Sequence, residues 1–279
     1  MTAQHEVATP PARIVGGPEY LFGGKVTAGP DGARHGSMAS GPWMHGPDGA
    51  PSGAALGVLI DDTLGIAAAA LRPETLWAVT TELSVDYVAP PPCDGRRITS
   101  RGEVVSSHSL GALATGTIQD DTARTLAVMT LRSRYVPGVP EVFHTSETDP
   151  PPEPLFPEEP ERTSLPELLG ASFTADDRSA TLRVPGDPLL TNASGVLHGG
   201  IALCASQFVA SHWFPAGMLL SSVRIAYLRQ LEITGDIGFV ARVVHGGRTF
   251  RLVEVVSYGP SGKPCTTATV AGYTVDETP

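Results

Sequence analysis

The sequence predicts an α+β protein in which one architecture is built twice. Two stretches, Ala54–Leu71 and Gly199–Trp213, are rich in Ala, Leu and Gly and apolar on nearly every side, the signature of buried helices. Each is followed by four strand-like runs. Landmarks also recur at near-equal offsets. Ser52-Gly53-Ala54 and His198-Gly199-Gly200 open the two helices 146 positions apart. Tyr87-Val88 and Tyr227-Leu228 end a strand 140 positions apart, and Val104-Val105 and Val243-Val244 follow at 139. Offsets that drift by a few residues across loops are what two copies of one fold would show.

In the first half a turn-rich stretch, Gly41–Gly53, leads into the helix. Strands are expected at Leu76–Val88, Arg97–Ser107, Gly111–Ile118 and Arg124–Tyr135, the first alternating as Glu82-Leu-Ser-Val-Asp-Tyr-Val88. In the second half a strand at Ala180–Val184 and a turn at Leu189–Gly195 precede the helix. Strands follow at Met218–Leu228, Asp236–Val244, Thr249–Tyr258 and Pro264–Val275. An antiparallel sheet of about five strands buries one face only if something covers it, and a fully apolar helix is a suitable cover. Between the halves, Pro137–Pro166 holds nine prolines and many acids and reads as an extended, semi-rigid linker. The expected division is a loose tail over 1–20, one unit over 21–136, the linker over 137–166 and a second unit over 167–279.

Composition narrows the function classes. The 279 residues are 41% hydrophobic and 17% charged, which suits a well-buried globular protein. A net charge of −10 argues against a nucleic-acid surface, which needs a basic footprint. Three cysteines without a CxxC pair support neither a disulfide framework nor a zinc ribbon, and point to a reducing, cytoplasmic setting. The first residues lack a signal peptide's basic start and apolar run, and no stretch is long and apolar enough for a membrane span.

Two features carry candidate chemistry. In Asn192-Ala-Ser-Gly-Val-Leu-His198-Gly199-Gly200, small residues at a helix start leave the first backbone N–H groups open to a ligand, and the helix dipole adds partial positive charge. A thioester carbonyl against the Gly199 N–H would be polarised, with Asn192 as a second donor. The plainer alternative is tight helix–sheet packing with His198 as a cap. The second feature is Asp61-Asp62 within the first apolar helix. A buried carboxylate costs several kcal/mol unless paired, so one acid facing a cleft could serve as base or nucleophile. Helical neighbours point about 100° apart, so both are not expected at one site. The alternative is an exposed helix edge solvated by the acids.

The halves are complementary. Counting nine residues on from His198 gives Gln207; from Ser52 it gives Asp61. Six before His198 is Asn192; six before Ser52 is Gly46. If the halves pack as a pseudo-dimer, one interface site gathers Asn192, His198, Gly199 and Asp61. The other gathers Gly46, Ser52, Gly53 and Gln207 and lacks the acid and the histidine.

The pattern Asn-x5-His-Gly-Gly followed by an acid resembles the hotdog-fold acyl-CoA thioesterases of the PaaI type. The resemblance covers about 100 residues in each half. It implies a double hotdog, each unit a long helix wrapped by a five- to six-stranded antiparallel sheet, with sites at the interface between units. It implies that Asn192 and Gly199 hold the thioester carbonyl, that His198 supports them, and that Asp61 from the other unit activates water or attacks the acyl carbon. Thr80, seven residues before the strand-end Tyr87, matches a Ser/Thr that orients the water or the acid. Gly200 and Arg248 are candidate substrate contacts, the latter for a CoA phosphate. The chemistry needs neither metal nor organic cofactor, CoA being part of the substrate, and a homodimer of tandem chains is plausible by analogy. A non-catalytic acyl-CoA binding protein and an enoyl-thioester hydratase are the alternatives. Hydratase relatives carry Asp and His five residues apart, whereas His198 is followed at that spacing by Leu203.

Overall fold

The computed structural model describes residues 17–139 and 163–274. The first half runs α1 (Gly17–Leu21), β1 (Lys25–Ala28), β2 (Arg34–Ala39), a 3-10 turn at Gly53–Leu56, α2 (Gly57–Ala69), β3 (Leu76–Tyr87), β4 (Arg97–His108), β5 (Gly111–Asp120) and β6 (Thr125–Pro137). The second runs α3 (Leu165–Leu168), β7 (Ser172–Ala175), β8 (Ala180–Val184), α4 (Gly199–Ser211), β9 (Met218–Tyr227), β10 (Ile237–Gly246), β11 (Phe250–Tyr258) and β12 (Pro264–Thr274). Both long helices and nine of the expected strands thus form, with ends shifted by a few residues.

The described strands make one antiparallel sheet in the order β1-β2-β4-β5-β6-β3-β9-β12-β11-β10-β8-β7. Adding six to each label of the first half gives the second half read inward from the other edge. The halves join where β3 pairs β9, from Glu82 opposite Ala226 to Asp86 opposite Ser222. Arg224 crosses this seam, donating to the Asp86 carboxylate and the Val85 carbonyl.

The inner face carries the alternating apolar residues of the strands, and α2 and α4 cover it. Leu59, Ile60 and Leu64 of α2 and Ile201, Leu203 and Val209 of α4 are buried. Each such side chain contributes about 1.5–3 kcal/mol of burial. The helices meet at two glycines. A Cβ on Gly200 would lie 2.6 Å from the Gly57 carbonyl oxygen and from the Val58 Cα. Only bare backbone fits there, and this closeness fixes how the two helix starts face each other.

Three boundaries depart from expectation. Residues 17–21 form α1, so the loose tail does not extend to 20. Gly17 and Pro18 are buried, and the Gly17 backbone abuts Leu189. The 137–166 linker is shorter at both ends. Pro137 closes β6, and Ser164 starts α3 through a reciprocal capping box with Glu167 that buries Leu165. Residues 1–16 of the expected tail and 140–162 of the expected linker lie outside those described. The edge strands β1 and β7, and β2 beside β1, were not expected. β1 and β7 are mostly exposed and show no alternation to betray them. Among the described residues, no helix is long and apolar enough to cross a membrane.

Candidate active site

The α4 tip is built by a tight loop. Gly195 takes a positive φ of 75°, and the Asn192 carbonyl accepts its N–H at 2.9 Å. The Asn192 side-chain oxygen accepts from the Ser194 N–H at 2.9 Å, which leaves the amide NH2 as that residue's free end. His198 is the N-cap, and its Nδ1 accepts the Gly200 N–H at 3.0 Å. The Gly199 N–H then has no partner within its helix. The Gly199 carbonyl accepts from the Tyr227 hydroxyl at 2.8 Å, which pins the tip to the end of β9. Burial pushes the Tyr227 pKa well up, so the hydroxyl stays a donor.

Asp61 of α2 stands over this tip. A Cβ on Gly199 would fall 2.6 Å from Asp61 Oδ2, so glycine is the residue the geometry permits. Thr80 donates from Oγ1 to Asp61 Oδ1 at 3.1 Å. It sits where the pairing of β3 with β6 shifts register, a bulge that re-aims side chains. Asp62 was not expected at the same site, yet both acids are 8% exposed and both flank one imidazole. His198 Nε2 lies 3.0 Å from Asp62 Oδ1 and Nδ1 lies 3.5 Å from Asp61 Oδ2. The divergence of neighbouring helical side chains is matched by the two nitrogens of the ring. Burial, then the charge of Glu19, pushes Asp62 up to about 7. Burial works against charge on His198, but the Asp62 and Asp61 carboxylates pull its pKa upward, so the pair holds its protons tightly. With the Gly200 N–H donated to Nδ1, the ring nitrogen turned toward Asp62 is the protonated Nε2, which donates to Asp62 Oδ1 at 3.0 Å.

These groups form the polar end of a cavity of about 420 Å³. Its other walls are mostly apolar, with Ile66 and Ala69 from α2, Trp77 from β3, and Val136, Leu228 and Leu231, while Thr81, Arg229 and Gln230 add polar groups. An apolar pocket ending in a few convergent polar groups is the form of a small-molecule site.

No family model matches this chain. Its fold matches a protein of Alicyclobacillus acidocaldarius described as having a hot dog fold, with a TM-score of 0.60, 14% identity and coverage of 94% of this chain and 98% of that one. The fold is the hotdog fold. A 12:0-ACP thioesterase from Umbellularia californica superposes with a TM-score of 0.58 at 13% identity, over 87% of this chain and 94% of that one. An acyl-ACP thioesterase from Bacteroides thetaiotaomicron does so at 0.52 and 13%, over 86% and 97%. In sequence, a curated Pseudomonas aeruginosa protein with a provisional esterase name is 29% identical over 115 residues, 37% of this chain and 77% of that protein.

The other helix start of this hotdog sheet is closed. Gln207, opposite Gly53-Ala54, is fully buried, accepts from the Tyr87 hydroxyl at 2.5 Å and donates to the Ala54 carbonyl at 3.3 Å. Phe208 takes the sequence position of Asp62, and Leu220 that of Thr80. The space beside Gly46, Ser52 and Leu220 is about 10 Å³, too small for a substrate. Gln207→Ala should therefore leave turnover nearly unchanged while costing about 1–3 kcal/mol of stability, from the void at a fully buried side chain and the Ala54 carbonyl left without its donor; the Tyr87 hydroxyl keeps the Gly53 carbonyl as acceptor. Paired kinetics and thermal melts check this.

Two expected substrate contacts are not found in the hotdog cleft. Gly200 does not line the cavity; its N–H is held by His198 and its Cα packs against α2. Arg248 sits on the β10–β11 turn beside Thr274, near the Met218 end of β9. Tyr227 and the cavity are at the opposite end, roughly 30 Å along the strand. Sequence reasoning missed Glu19, whose carboxylate lies within 4.8 Å of ligand-capable atoms of Asp62 and His198. Its signal was Gly17-Pro18-Glu19, a proline and an acid in a first helical turn. The trio suits a cation poorly. With Nδ1 accepting from Gly200, Nε2 keeps the ring's proton and has no lone pair to offer.

Proposed function

We propose that the protein hydrolyses an acyl-CoA thioester at one composite site between two hotdog units that pack as a pseudo-dimer within one chain. The observation that carries this reading is Asp61 Oδ2 packed close against Gly199, the first residue of α4, with both lining the polar end of one cavity. The thioester carbonyl oxygen sits against the Gly199 N–H and the Asn192 amide, which stabilise the oxyanion as it forms. His198 holds the tip that presents the N–H. Asp61 takes a proton from water as it adds to the carbonyl carbon, or adds directly and is freed by water. The C–S bond breaks, the CoA sulfur leaves as thiolate and takes a proton, and the acyl group departs as a carboxylate. The apolar walls at Ile66, Trp77 and Val136 receive the acyl group. Water, a carboxylate and a polarised carbonyl suffice for this chemistry.

The fold match with acyl-ACP thioesterases and the esterase-named relative are in keeping with this reading. A panel of acyl-CoAs with a thiol-reactive dye tests it. Thiol release by the wild type that vanishes in Asp61→Ala supports hydrolysis. A ligand-dependent thermal shift without release overturns it in favour of binding alone. Thr80→Val removes a hydrogen bond to a charged group, worth about 1.5–3 kcal/mol. Turnover should fall about 10–100-fold with little change in KM; an unchanged kcat would show that Thr80 does not orient the carboxylate.

A further inference from the structure

The seam between the two halves is closed over only part of its length. β3 pairs β9 from Glu82 opposite Ala226 to Asp86 opposite Ser222, whereas its other edge is paired with β6 from Leu76 to Tyr87. Continued at the same register, the β3–β9 ladder would set Thr81 opposite Tyr227 and Ala78 opposite Gln230. Instead the two segments part, and every residue of 78–81 and of 227–230 lines the cavity. Side chains alternate along a strand, so four successive residues reach one cavity where the strand's edge faces it. Each side of the parting has its own cause. On β3, the pairing with β6 shifts between Thr80 and Glu82, a bulge of the kind that bends a strand. On the other side the Leu228 and Arg229 N–H groups both donate to the Cys265 carbonyl, at 2.8 and 3.1 Å, which draws the chain toward β12. Among the described residues, no strand lies beside β3 at 78–81 on this side.

We propose that this open edge of β3 takes the amide-bearing pantetheine arm of the leaving thiol as an added strand, so that the protein recognises its thioester by that arm and not by the nucleotide beyond it. That the arm belongs to a leaving group rests on the thioesterase reading; the open edge does not. An unpaired edge is a row of backbone N–H and C=O groups, and an extended chain carrying amides completes it. At about 3.3 Å per residue the edge over 78–81 is about 13 Å long, room for both amides of a pantetheine arm. The chemistry sits where the seam parts, since Thr80 donates to Asp61 and Tyr227 holds the Gly199 carbonyl. The arm therefore runs outward from the reacting carbon. The walls divide the substrate in the same way. Thr81, Arg229 and Gln230 border the parting, whereas Ile66 and Ala69 belong to α2 and Val136 to β6. Amides gain partners beside the first set, and hydrocarbon is better placed against the second. Among the described residues that line the cavity, Arg229 is the one Arg or Lys, and its guanidinium donates to the Pro264 carbonyl at 2.6 Å. The cavity thus offers little charge to a nucleotide's phosphates.

The direct test follows backbone amide exchange in the full chain with two non-hydrolysable probes. One is the S-hexyl thioether of pantetheine; the other is 2-(hexylthio)ethanol, which keeps the hydrocarbon and the sulfur but has no amide. The pantetheine probe should slow exchange within 78–81 by about tenfold or more and leave 83–86, already paired on both edges, unchanged. The amide-free probe should leave 78–81 as it is. No slowing by the pantetheine probe, or equal slowing by both, would overturn the proposal. Kinetics give a second reading. The hexanoyl thioesters of CoA and pantetheine carry both amides, that of N-acetylcysteamine one, and that of ethanethiol none. With each kcat/KM divided by the ester's rate of alkaline hydrolysis, CoA and pantetheine should agree within about threefold, and each amide removed should cost about fivefold, the worth of one hydrogen bond. A larger loss on removing the nucleotide than on removing the amides, or a flat series, would sink the idea. An acyl carrier protein presents the same arm on a protein, and its hexanoyl thioester, set against hexanoyl-CoA, tells which of these two sources the cleft serves. If no thioester is hydrolysed while the pantetheine probe protects the edge, the functional reading falls and the binding edge stands. Hydrolysis without protection removes the edge alone.

Discussion

Asp61→Asn should lower thioester turnover by about 10²–10⁴-fold, the usual worth of a positioned acid–base group. The substitution is nearly isosteric. The amide oxygen can still accept from Thr80, and the fit over Gly199 is preserved, so the α4 tip stays where it is. What is lost is the ability to take a proton or to attack. Stability should hold, since a buried carboxylate is replaced by a neutral group. Asp62→Asn is the comparison. It also removes a buried acid, but Asp62 touches the ring and not the space in front of Gly199, so its loss should be smaller. Steady-state kinetics with the best acyl-CoA reads both. The reverse order of effects would show that the wrong carboxylate had been assigned the chemistry.

Gly200→Ala should damage fold and turnover together. The new Cβ would meet the Gly57 carbonyl oxygen and the Val58 Cα at 2.6 Å. These are backbone atoms and cannot swing aside, so α2 and α4 must part. Overpacking of this kind costs about 1–3 kcal/mol, a fall in Tm of several degrees for a chain of this size. Asp61 lies one turn beyond Gly57, and Gly199 is next to the substituted residue. Any separation therefore widens the gap between carboxylate and N–H, and catalysis is sensitive to shifts of about 1 Å. Gly65→Ala is the control for Tm alone: nothing lies within 4 Å of its Cβ and alanine favours the helix by up to about 1 kcal/mol, while its place on the cavity wall keeps it from serving as a control for turnover. A Gly200→Ala protein with wild-type Tm and turnover would mean that the helix contact is softer than its atoms suggest.

The sequence showed those parts of the molecule whose pattern is local. Buried helices and alternating strands are written in periodicity, which is why α2, α4 and the strands from β3 to β6 and β8 to β12 were legible within a few residues. The pairing of Asp61 with Gly199 was legible for another reason: the repeat offset shows which positions are equivalent, and Gln207 marks where the acid is missing. Edge strands such as β7 escaped because their side chains are exposed on both faces and follow no period. The joint use of Asp61 and Asp62 escaped because a helical wheel knows nothing of the imidazole that spans them. Arg248 was misjudged because adjacency in a hairpin says nothing about which end of a ten-residue strand that hairpin occupies. Glu19 sits 43 positions before Asp62, and only the docking of α1 brings the two together.

The seam between β3 and β9 joins two halves of one polypeptide, not two identical chains. In a symmetric pair every substitution is imposed on both clefts at once, so a change that closes one closes the other. A single chain escapes that bond. Gln207 and Phe208 fill one cleft as a solid brace without touching the acid in the other.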